Sequence, residues 1–278
     1  MKIEKKIAVL LACYNRKVKT LNCLKSLYEA TLPREFTLDI FLVDDNSTDG
    51  TTAAVNQSYP KVNVIEGNGN LFWNRGMFKA WEVASMNYEY DFYLWLNDDV
   101  KLFKNSIVLM LEASEKTSFS SLICGPTCSE FEKTITYGGS KIGEKGLVIP
   151  NGKIQECRII HGNFVLVPRI VYDKIGNLDW SFKHAIGDFD YGLRAIKVGF
   201  KNYITSDYIG TCESNPTLPK WCLKETHIKN RFQLLYSPLG YAEPIPFFIY
   251  EKRHFGLLIA IKHFILINLR ALIPQLWK

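Results

Sequence analysis

Apolar and polar positions along the first hundred residues alternate between two periods. Short apolar runs at 7–12, 38–43, 62–65 and 92–96 each end in polar loop residues, a pattern typical of buried strands. Between these runs apolar residues recur at helical spacing, most clearly over 72–86. Because strand and helix alternate in this way, the sequence predicts a parallel, doubly wound α/β sheet.

The pattern changes after residue 100. A further helix is predicted over 107–113. Residues 120–170 are richer in glycine and β-formers, which predicts mixed or antiparallel strands. Another helix is predicted over 188–198. The sheet should therefore be parallel in the first part of the chain and mixed in the second.

Composition and charge indicate that a basic extension follows this domain. With 278 residues, 47% hydrophobic and 22% charged, the chain can bury a large core and is not disordered as a whole. Residues 220–278 carry nine basic and three acidic side chains, which accounts for the entire net charge of +6. We therefore expect an α/β domain over 1–219 and a basic extension that faces an anionic surface, either membrane or nucleic acid.

The cysteines and the N-terminal residues argue against a disulfide-rich or secreted protein. Seven cysteines without a CxxC pair indicate neither a zinc ribbon nor a full disulfide framework. Cys13 and Cys23 lie in apolar patterns and are predicted to be core thiols, which suits a reducing cytoplasm. The short run at 7–12 is expected to be a strand and not a signal peptide. No apolar run approaches 18 residues, so no membrane-spanning helix is predicted.

Paired carboxylates follow two of the predicted strands. Asn97, Asp98 and Asp99 come directly after the run at 92–96, and Asp44 and Asp45 follow the second strand. Carboxyl ends of parallel strands meet at one edge of a sheet, where α/β proteins bind ligands. Adjacent carboxylates there need a positive partner, and their oxygen atoms suit Mg²⁺ or Mn²⁺. A solvated turn that caps a helix is the alternative interpretation.

A third acidic cluster opens the predicted helix at 188–198. Asp190 lies four residues before Arg194, so an ordinary helical ion pair can explain it. Asp188 has no such partner, although a helix N-cap remains open to it. Each cluster alone is weak evidence for a site, and their order along the chain is what gives them weight.

Together and in this order, the motifs resemble the family 2 glycosyltransferases of the GT-A fold, especially rhamnosyltransferase-like members. The resemblance covers roughly residues 5–205 and identifies the family without naming the sugar. It rests on the segments 12–16 (ACYNR), 43–49 (VDDNSTD), 97–99 (NDD), 161–169 (HGNFVLVPR), 175–179 (IGNLD) and 187–194 (GDFDYGLR). The fold class that it implies is α/β GT-A, a Rossmann-like mixed sheet flanked by helices, here with a C-terminal helical extension.

The resemblance also implies roles for individual residues. Asp188 would be the catalytic base, and Asp99, at the end of the segment in the place of the DXD motif, would bind Mg²⁺ or Mn²⁺. Nucleotide-sugar contacts would come from Ala12, Cys13, Tyr14, Asn15, Asp44, Asp45, Asn74, Arg75 and Asp98. Acceptor contacts would come from His161, Gly162, Asn163 and Asp190. Residues 1–219 would form the catalytic domain, with a nucleotide-sugar half at about 1–100 and an acceptor half at about 101–219.

Two positions depart from the family pattern. Gly187 stands where the family usually has Glu, so one carboxylate near the expected base is missing. Trp73 stands where many relatives carry Arg before the residue aligned with Asn74, and Arg75 follows. Two alternatives are open here. Arg75 would take over the nucleotide or phosphate contact of the family's Arg, or Trp73 would simply be a core residue.

The function that the resemblance implies is an inverting sugar transfer. The donor would be a nucleotide-diphosphate sugar, and the acceptor a hydroxyl of a glycan or lipid-linked glycan in cell-surface polysaccharide biosynthesis. A catalytically silent glycan- or nucleotide-binding paralogue is the alternative, which Gly187 keeps open and Asp98, Asp99 and Asp188 argue against. A dinucleotide-dependent oxidoreductase is disfavoured, since no GxGxxG follows the first strand. Nucleic acid is not an expected partner.

The basic extension contains a further pattern over 247–277. A basic amphipathic helix of this kind lies in the interface of an anionic membrane, so we expect a cytoplasmic protein at the inner face of the cell membrane. A helix packed on the catalytic domain, with a solvated basic edge, is the alternative. The basic face would hold Lys262, His263 and Arg270, and the adjoining face Leu258, Ile261, Ile265 and Leu269, with Trp277 near the end.

Overall fold

The structure is a computed structural model that describes residues 4–143, 145–214 and 218–276. The strands are β1 (Lys5–Cys13), β2 (Phe36–Asp44), β3 (Val62–Glu66), β4 (Phe92–Leu96), β5 (Lys101–Leu102), β6 (Ser121–Cys124), β7 (Thr127–Cys128), β8 (Ile135–Tyr137), β9 (Gly139–Ser140), β10 (Gln155–Cys157), β11 (Ile159–Ile160), β12 (Phe164–Pro168), β13 (Lys201–Ile204) and β14 (Gly210–Thr211). The helices are α1 (Lys17–Glu29), α2 (Thr51–Ser58), α3 (Phe72–Asn87), α4 (Ser106–Lys116), α5 (Arg169–Ile175), α6 (Gly187–Lys197), α7 (Ile228–Leu235), α8 (Pro244–His254) and α9 (Leu257–Leu272). Short 3₁₀ turns lie at Lys220–Cys222, Pro238–Gly240 and Pro274–Leu276.

The central sheet has eight strands in the order β10-β13-β6-β12-β4-β1-β2-β3. β1 pairs in parallel with both β2 and β4, and β2 pairs in parallel with β3. β12 runs antiparallel between β4 and β6, and β10 runs antiparallel to β13. These pairings confirm the predicted fold class, an α/β protein whose sheet is parallel in the first part of the chain and mixed in the second.

Strand β4 illustrates how the sheet is covered on both faces. Successive side chains of a strand point to opposite faces. Leu94 and Leu96 therefore join the core beneath α1 and α4, whereas Tyr93 and Trp95 join the core beneath α3, α5 and α6. All five residues of β4 are buried, as the apolar run predicted. This burial fixes the backbone that presents the next residues, Asn97 to Asp99, to the sheet edge.

The extension after residue 219 packs against the α/β domain. α8 lies on α6, where Phe182, Ile186, Leu193 and Tyr250 form an apolar cluster. α7 and α9 share a second cluster, built from Trp221, Cys222, Leu235 and Ala271. The extension is therefore held to the domain by apolar packing as well as by the polar contacts described below.

The prediction of one amphipathic helix over 247–277 is wrong in detail. The segment forms α8 and α9, with a break at Gly256, whose φ of +100° favours glycine. On α9, Lys262 and His263 are both exposed, and His263 also pairs with Glu251 of α8. Trp277 lies outside the described residues. Across the described ranges, no helix is both long enough and apolar enough to cross a membrane.

Candidate active site

A cleft of about 650 Å³ opens at the carboxyl ends of β1 and β4. The residues that follow these strands form one wall, and the segment before β12 and the start of α6 form the other. The extension adds Leu239, Tyr241 and Phe247 to the rim. The cleft thus joins parts of the chain that are distant in sequence, and its polar lining includes Arg16, Asp45, Asn97, Asp98, Asp99, His161, Asn163, His184 and Asp188.

The end of β1 supplies three of the predicted nucleotide-sugar residues to the cleft. Ala12, Cys13 and Tyr14 line it, and the Tyr14 side chain is half-exposed. Burial raises the pKa of the Cys13 thiol, and the carboxylates of Asp44 and Asp98 raise it further. Cys13 is therefore a protonated thiol that contributes shape to the cleft and no charge. All seven cysteines are buried and free, which includes Cys13 and Cys23, the two predicted to be core thiols.

Asp45 is buried at the cleft and organises the loop that leads into α3. Its Oδ1 accepts a hydrogen bond from the Gly69 N–H at 2.8 Å. Its Oδ2 accepts hydrogen bonds from the N–H groups of Leu71, at 2.8 Å, and Phe72, at 3.0 Å. These donors are backbone groups at the start of a helix, which an anionic side chain satisfies well. Asp45 therefore holds the Gly- and Asn-rich loop against the cleft.

Asp44 and Asn15 lie behind the cleft wall, outside its lining. Asp44 Oδ1 accepts a hydrogen bond from the Ser47 N–H at 2.9 Å, and its other oxygen accepts one from the Thr52 hydroxyl. Asn15, at a positive φ of 50°, accepts a hydrogen bond from the Thr48 N–H. The two residues join the loop after β1 to the loop after β2. They therefore stabilise the wall of the cleft from behind and do not line it.

Asp98 and Asp99 converge on the Arg16 guanidinium. Arg16 Nη1 lies 2.9 Å from Asp98 Oδ1 and 3.0 Å from Asp99 Oδ2. Thr20 donates a longer hydrogen bond, of 3.4 Å, to the other Asp98 oxygen. Burial raises the pKa of Asp98 to about 6, although the charge of Arg16 opposes that shift. The sequence argument that this pair needs a positive partner is correct: in the described chain Arg16 contacts both carboxylates, and Lys19 lies 3.9 Å from Asp99.

The two carboxylates also fit a divalent cation. One nitrogen of Arg16 lies within hydrogen-bond distance of an oxygen from each of them, so the pair already converges on a single cationic position. Asp99 is the more accessible of the two, with its side chain 22% exposed. Within the described ranges, no group of three or more His, Cys, Asp and Glu side chains could hold a metal ion by itself. A cation bound here would therefore need further oxygen ligands from a substrate or from water.

Asp188 faces the cleft from the first turn of α6. Its Oδ2 accepts a hydrogen bond from the Gly162 N–H at 2.7 Å, and its Oδ1 accepts one from the Phe189 N–H at 2.9 Å. Burial raises the pKa of Asp188 to about 6, whereas these backbone donors favour the ionised form. A carboxylate with such a pKa is suited to accept a proton near neutral pH.

The segment before β12 lies beside Asp188 in the same wall and is closely packed. His161 is stacked on the Phe189 ring, with ring centroids 5.3 Å apart, and burial lowers its pKa to about 4. His161 is therefore neutral near pH 7. A side chain at Gly162 would collide with the indole of Trp73, which donates a 2.6 Å hydrogen bond to Asn97 Oδ1. Trp73 is thus a wall of the cleft that also orients the segment leading to Asp98.

Asn163 completes this wall. Its backbone carbonyl accepts a hydrogen bond from the Asn97 N–H at 2.9 Å, so the segments before β12 and after β4 are tied together. The side chain is buried and lines the cleft. Asn163 is therefore placed to contact a bound molecule and also to hold the two walls in register.

Asn74 and Arg75 lie outside the lining of the cleft. The Asn74 amide donates hydrogen bonds to the carbonyls of Asp179, at 2.8 Å, and Phe182, at 2.9 Å. Arg75 donates to the Trp180 carbonyl and stacks over the Trp180 ring. Both residues thus hold the loop that precedes α6 and make no contact with the cleft in this structure.

The Asn74 side chain also accounts for Gly187. A Cβ atom added at residue 187 would collide with Asn74 Oδ1. With Asn74 in this position, the backbone at 187 has no room for any side chain. The departure from the family pattern is therefore a packing requirement of this chain, and it leaves the carboxylate of Asp188 in place.

Asp190 is buried in a cluster of charged side chains and does not line the cleft. The residue is fully buried, and Arg194, Arg253 and His254 all contact its carboxylate at 2.7–2.9 Å. Burial alone would raise its pKa, but the His254 hydrogen bond and the charges of Arg194 and Arg253 hold the pKa below its ordinary value. The helical ion pair with Arg194 is as predicted. The expectation that Asp190 contacts an acceptor is wrong, because its oxygens already bind these three groups.

Several residues of the cleft were given no specific role by the sequence or were not identified at all. Arg16 directly follows the residues after β1 that are predicted to contact the nucleotide sugar, so its place in the sequence could have indicated that it lines the cleft. His184 lies in the loop before α6, where its ring meets those of Phe72 and Tyr241. Burial lowers its pKa to about 4, and the charge of Arg16 lowers it further. Leu239, Tyr241 and Phe247 carry no local motif, because only the docking of the extension brings them to the site.

Comparison with solved structures gives the same fold. The mannosyltransferase PcManGT from Pyrobaculum calidifontis, in complex with GDP-Man and Mn²⁺, is similar with a TM-score of 0.57 and 16% identity, over 98% of this chain and 73% of that one. Residues 1–349 of TarS from S. aureus, in complex with UDP, are similar with a TM-score of 0.55 and 16% identity, over 90% of this chain and 72% of that one. A longer TarS structure is similar over 90% of this chain, which spans 44% of that one. At 16% identity these similarities establish the fold.

A family model gives the more specific result. No curated protein sequence matches the chain. The model described as glycosyl transferase family 2 matches residues 8–176, which is more than half of the chain and includes the cleft residues from β1 to β12. The fold, the convergent carboxylates and this match agree, and the chain belongs to glycosyl transferase family 2.

Proposed function

We propose that this protein transfers a sugar from a nucleotide-diphosphate sugar to a hydroxyl of a glycan or lipid-linked glycan, with inversion at the anomeric carbon. The observation that carries the proposal is the arrangement of the cleft, with Asp98 and Asp99 on one wall and Asp188 on the other. Membership of the family supports the transfer itself. The acceptor class suits a role in cell-surface polysaccharide biosynthesis.

The donor nucleotide occupies the half of the cleft at the ends of β1 and β4. Asp45 and Asp98 accept hydrogen bonds from the base or ribose, as carboxylates do at such sheet edges. Ala12, Cys13 and Tyr14 contact the nucleotide directly. Asn15 and Asp44 support this half from outside the lining, and Asn74 and Arg75 hold the loop before α6. Proteins of similar fold bind GDP-Man with Mn²⁺ and bind UDP, which supports a nucleotide in this half.

A divalent cation belongs beside Asp99. Magnesium sites at substrate phosphates use one or two carboxylates, and phosphate and water oxygens complete the shell, so this donor set fits Mg²⁺ or Mn²⁺. When bound, the cation neutralises the charge that develops on the departing diphosphate. Asp99 would hold it, with Asp98 alongside. With a cation on Asp99, Arg16 would share that carboxylate and could also pair with a donor phosphate.

Asp188 is the base in this proposal. The acceptor oxygen forms a bond to the anomeric carbon while the bond from that carbon to the diphosphate breaks, and the hydroxyl proton passes to an Asp188 oxygen. The Gly162 and Phe189 N–H groups keep the carboxylate oriented towards the cleft. One displacement with one base inverts the configuration. Gly162, Asn163 and the neutral His161 form the surface against which the acceptor lies.

A donor panel tests the proposal. UDP-, GDP- and dTDP-sugars are screened for thermal stabilisation and for release of nucleoside diphosphate, with Mn²⁺ or with EDTA. We expect stabilisation by one nucleotide class, metal-dependent turnover and a product with the opposite anomeric configuration by NMR. Nucleotide binding without turnover on any acceptor would support the silent paralogue, and equal turnover in EDTA would remove the metal from the account.

A further inference from the structure

Helix α9 exposes a continuous apolar stripe. Positions 258, 261, 265, 269 and 272 follow the spacing of one helical face, and all five side chains are large and apolar. Leu258 is 82% exposed and Ile265 is 53% exposed. The opposite side of the helix is buried, through Ala260 and Ala271. Soluble proteins seldom expose a contiguous apolar surface of this kind unless it binds something.

The exposed charges on α8 and α9 are basic. Between residues 244 and 276 the only carboxylate is Glu251, which is buried and paired with His263, whereas Lys252 and Lys262 are exposed. The preceding part of the extension exposes Lys220, Lys224 and Lys229 alongside one exposed carboxylate, Glu225, so its exposed charge is also mainly basic. An apolar stripe flanked by lysines complements a surface that is apolar within and anionic at its boundary.

The position of Lys262 favours one kind of partner for the stripe over another. It lies between Leu258 and Ile265 along the helix, so any partner that covers the stripe also covers its stem. A second copy of this face would bring no carboxylate to the buried ammonium group, which is costly. At a bilayer, the lysine stem packs with the acyl chains while the ammonium group reaches the lipid phosphates.

The stripe is fixed relative to the cleft by α8. Arg253 of α8 contacts Asp179 at 2.6 Å and Asp190 at 2.7 Å, both in the α/β domain. Phe247, earlier in the same helix, lines the cleft beside Leu239 and Tyr241. A surface that binds α9 therefore binds a rigid element which also forms the rim of the cleft.

We propose that the α9 stripe is a docking face for the interface of an anionic lipid bilayer. The apolar side chains enter the boundary between headgroups and acyl chains, and Lys262 contacts lipid phosphates. Docking brings the rim of the cleft near the lipid surface, where a lipid-linked acceptor would be found. The docking face does not depend on the proposed chemistry and can be tested without turnover.

The test is co-sedimentation of the full chain with vesicles of phosphatidylcholine alone, or with phosphatidylglycerol added. The test variant is Leu258→Glu/Ile265→Glu. The matched control is Met86→Glu/Phe131→Glu, which places the same charges on exposed apolar residues outside the extension. We expect wild type and control to bind the anionic vesicles, more weakly as salt rises, and the test variant to bind at least tenfold less. Lys262→Glu should lose binding to anionic vesicles as well.

Melting curves by circular dichroism show whether each variant is folded, and Lys262→Glu carries the comparison if the double variant is not. Failure of wild type to bind anionic vesicles at low salt would overturn the proposal, and so would equal binding by test variant and control. A concentration-dependent dimer in light scattering that the test variant abolishes, with no vesicle binding, would assign the stripe to a second copy instead.

Discussion

Asp188, the proposed base, occupies a position that costs stability. Its carboxylate is largely removed from water, and burial raises its pKa to about 6. A base needs such a pKa, but the folded state must then hold a poorly solvated charge at neutral pH. The hydrogen bonds from Gly162 and Phe189 offset part of that cost.

The first prediction follows from this cost. In the unfolded chain the pKa of an aspartate is about 4, so wild type should lose stability as pH rises from about 4 through 6, where the folded carboxyl ionises. Asp188→Asn does not titrate. We therefore expect its stability relative to wild type to be up to about 3 kcal/mol more favourable at pH 7.5 than at pH 4, on top of a pH-independent loss, because the amide has one acceptor oxygen for two N–H donors. Urea unfolding at both pH values measures this change, and a stability difference between the two proteins that is independent of pH would contradict a cost of burying the charged carboxylate.

At the residue scale, the sequence predicted the carboxylates of the cleft better than their contacts. Four carboxylates line the cleft as expected, because each lies just after the end of a strand or in the first turn of a helix: Asp45, Asp98, Asp99 and Asp188. Asp190 is two residues from Asp188 and turns the other way into a buried ion cluster. Its three partners lie 4, 63 and 64 residues along the chain, and only the nearest was visible in the sequence.

At the scale of elements, the strands and helices of the first half could be predicted because their periodicity is strong. The prediction over 92–96 matches β4, and the prediction over 72–86 matches α3 to within one residue. The break between α8 and α9 was missed, because the apolar pattern continues across Gly256 and only the backbone turn there separates the helices. The docking of α8 matches the alternative of a helix packed on the catalytic domain, but its place could not be predicted, because the partners of Arg253 are distant in the sequence.

The second prediction concerns this docking. Arg253→Met removes a guanidinium that bridges Asp179 and Asp190, and should lower the free energy of unfolding by about 1–3 kcal/mol. Arg194 and His254 remain on Asp190, which limits the loss. Hydrogen exchange measured by mass spectrometry should show faster exchange over α8. The neighbouring Lys252→Met is the matched control, since Lys252 is exposed, and equal effects of the two changes would show that Arg253 does not anchor the helix.

At the scale of the whole molecule, the extension and the α/β domain form one site. The sequence suggested a domain over 1–219 and a separate appendage after it. In the structure, Leu239, Tyr241 and Phe247 line the same cleft as Asp188. No local pattern could have revealed this, because the contact depends on how α7, α8 and the turns between them pack. A deletion of the extension would therefore disturb the cleft as well as remove the α9 stripe, and substitutions are the better test of either.

The measurement that tests the central claim most directly is sugar transfer by Asp188→Asn, compared with donor binding by the same variant. The exposed Asp173→Asn is the matched control. With the donor found in the panel, we expect the variant rate to fall by roughly 10²–10⁴ while its affinity for the donor, measured by calorimetric titration, changes little. The control should match wild type in both. Transfer by Asp188→Asn at the wild-type rate would contradict the assignment of Asp188 as the base, and with it the mechanism proposed for the cleft.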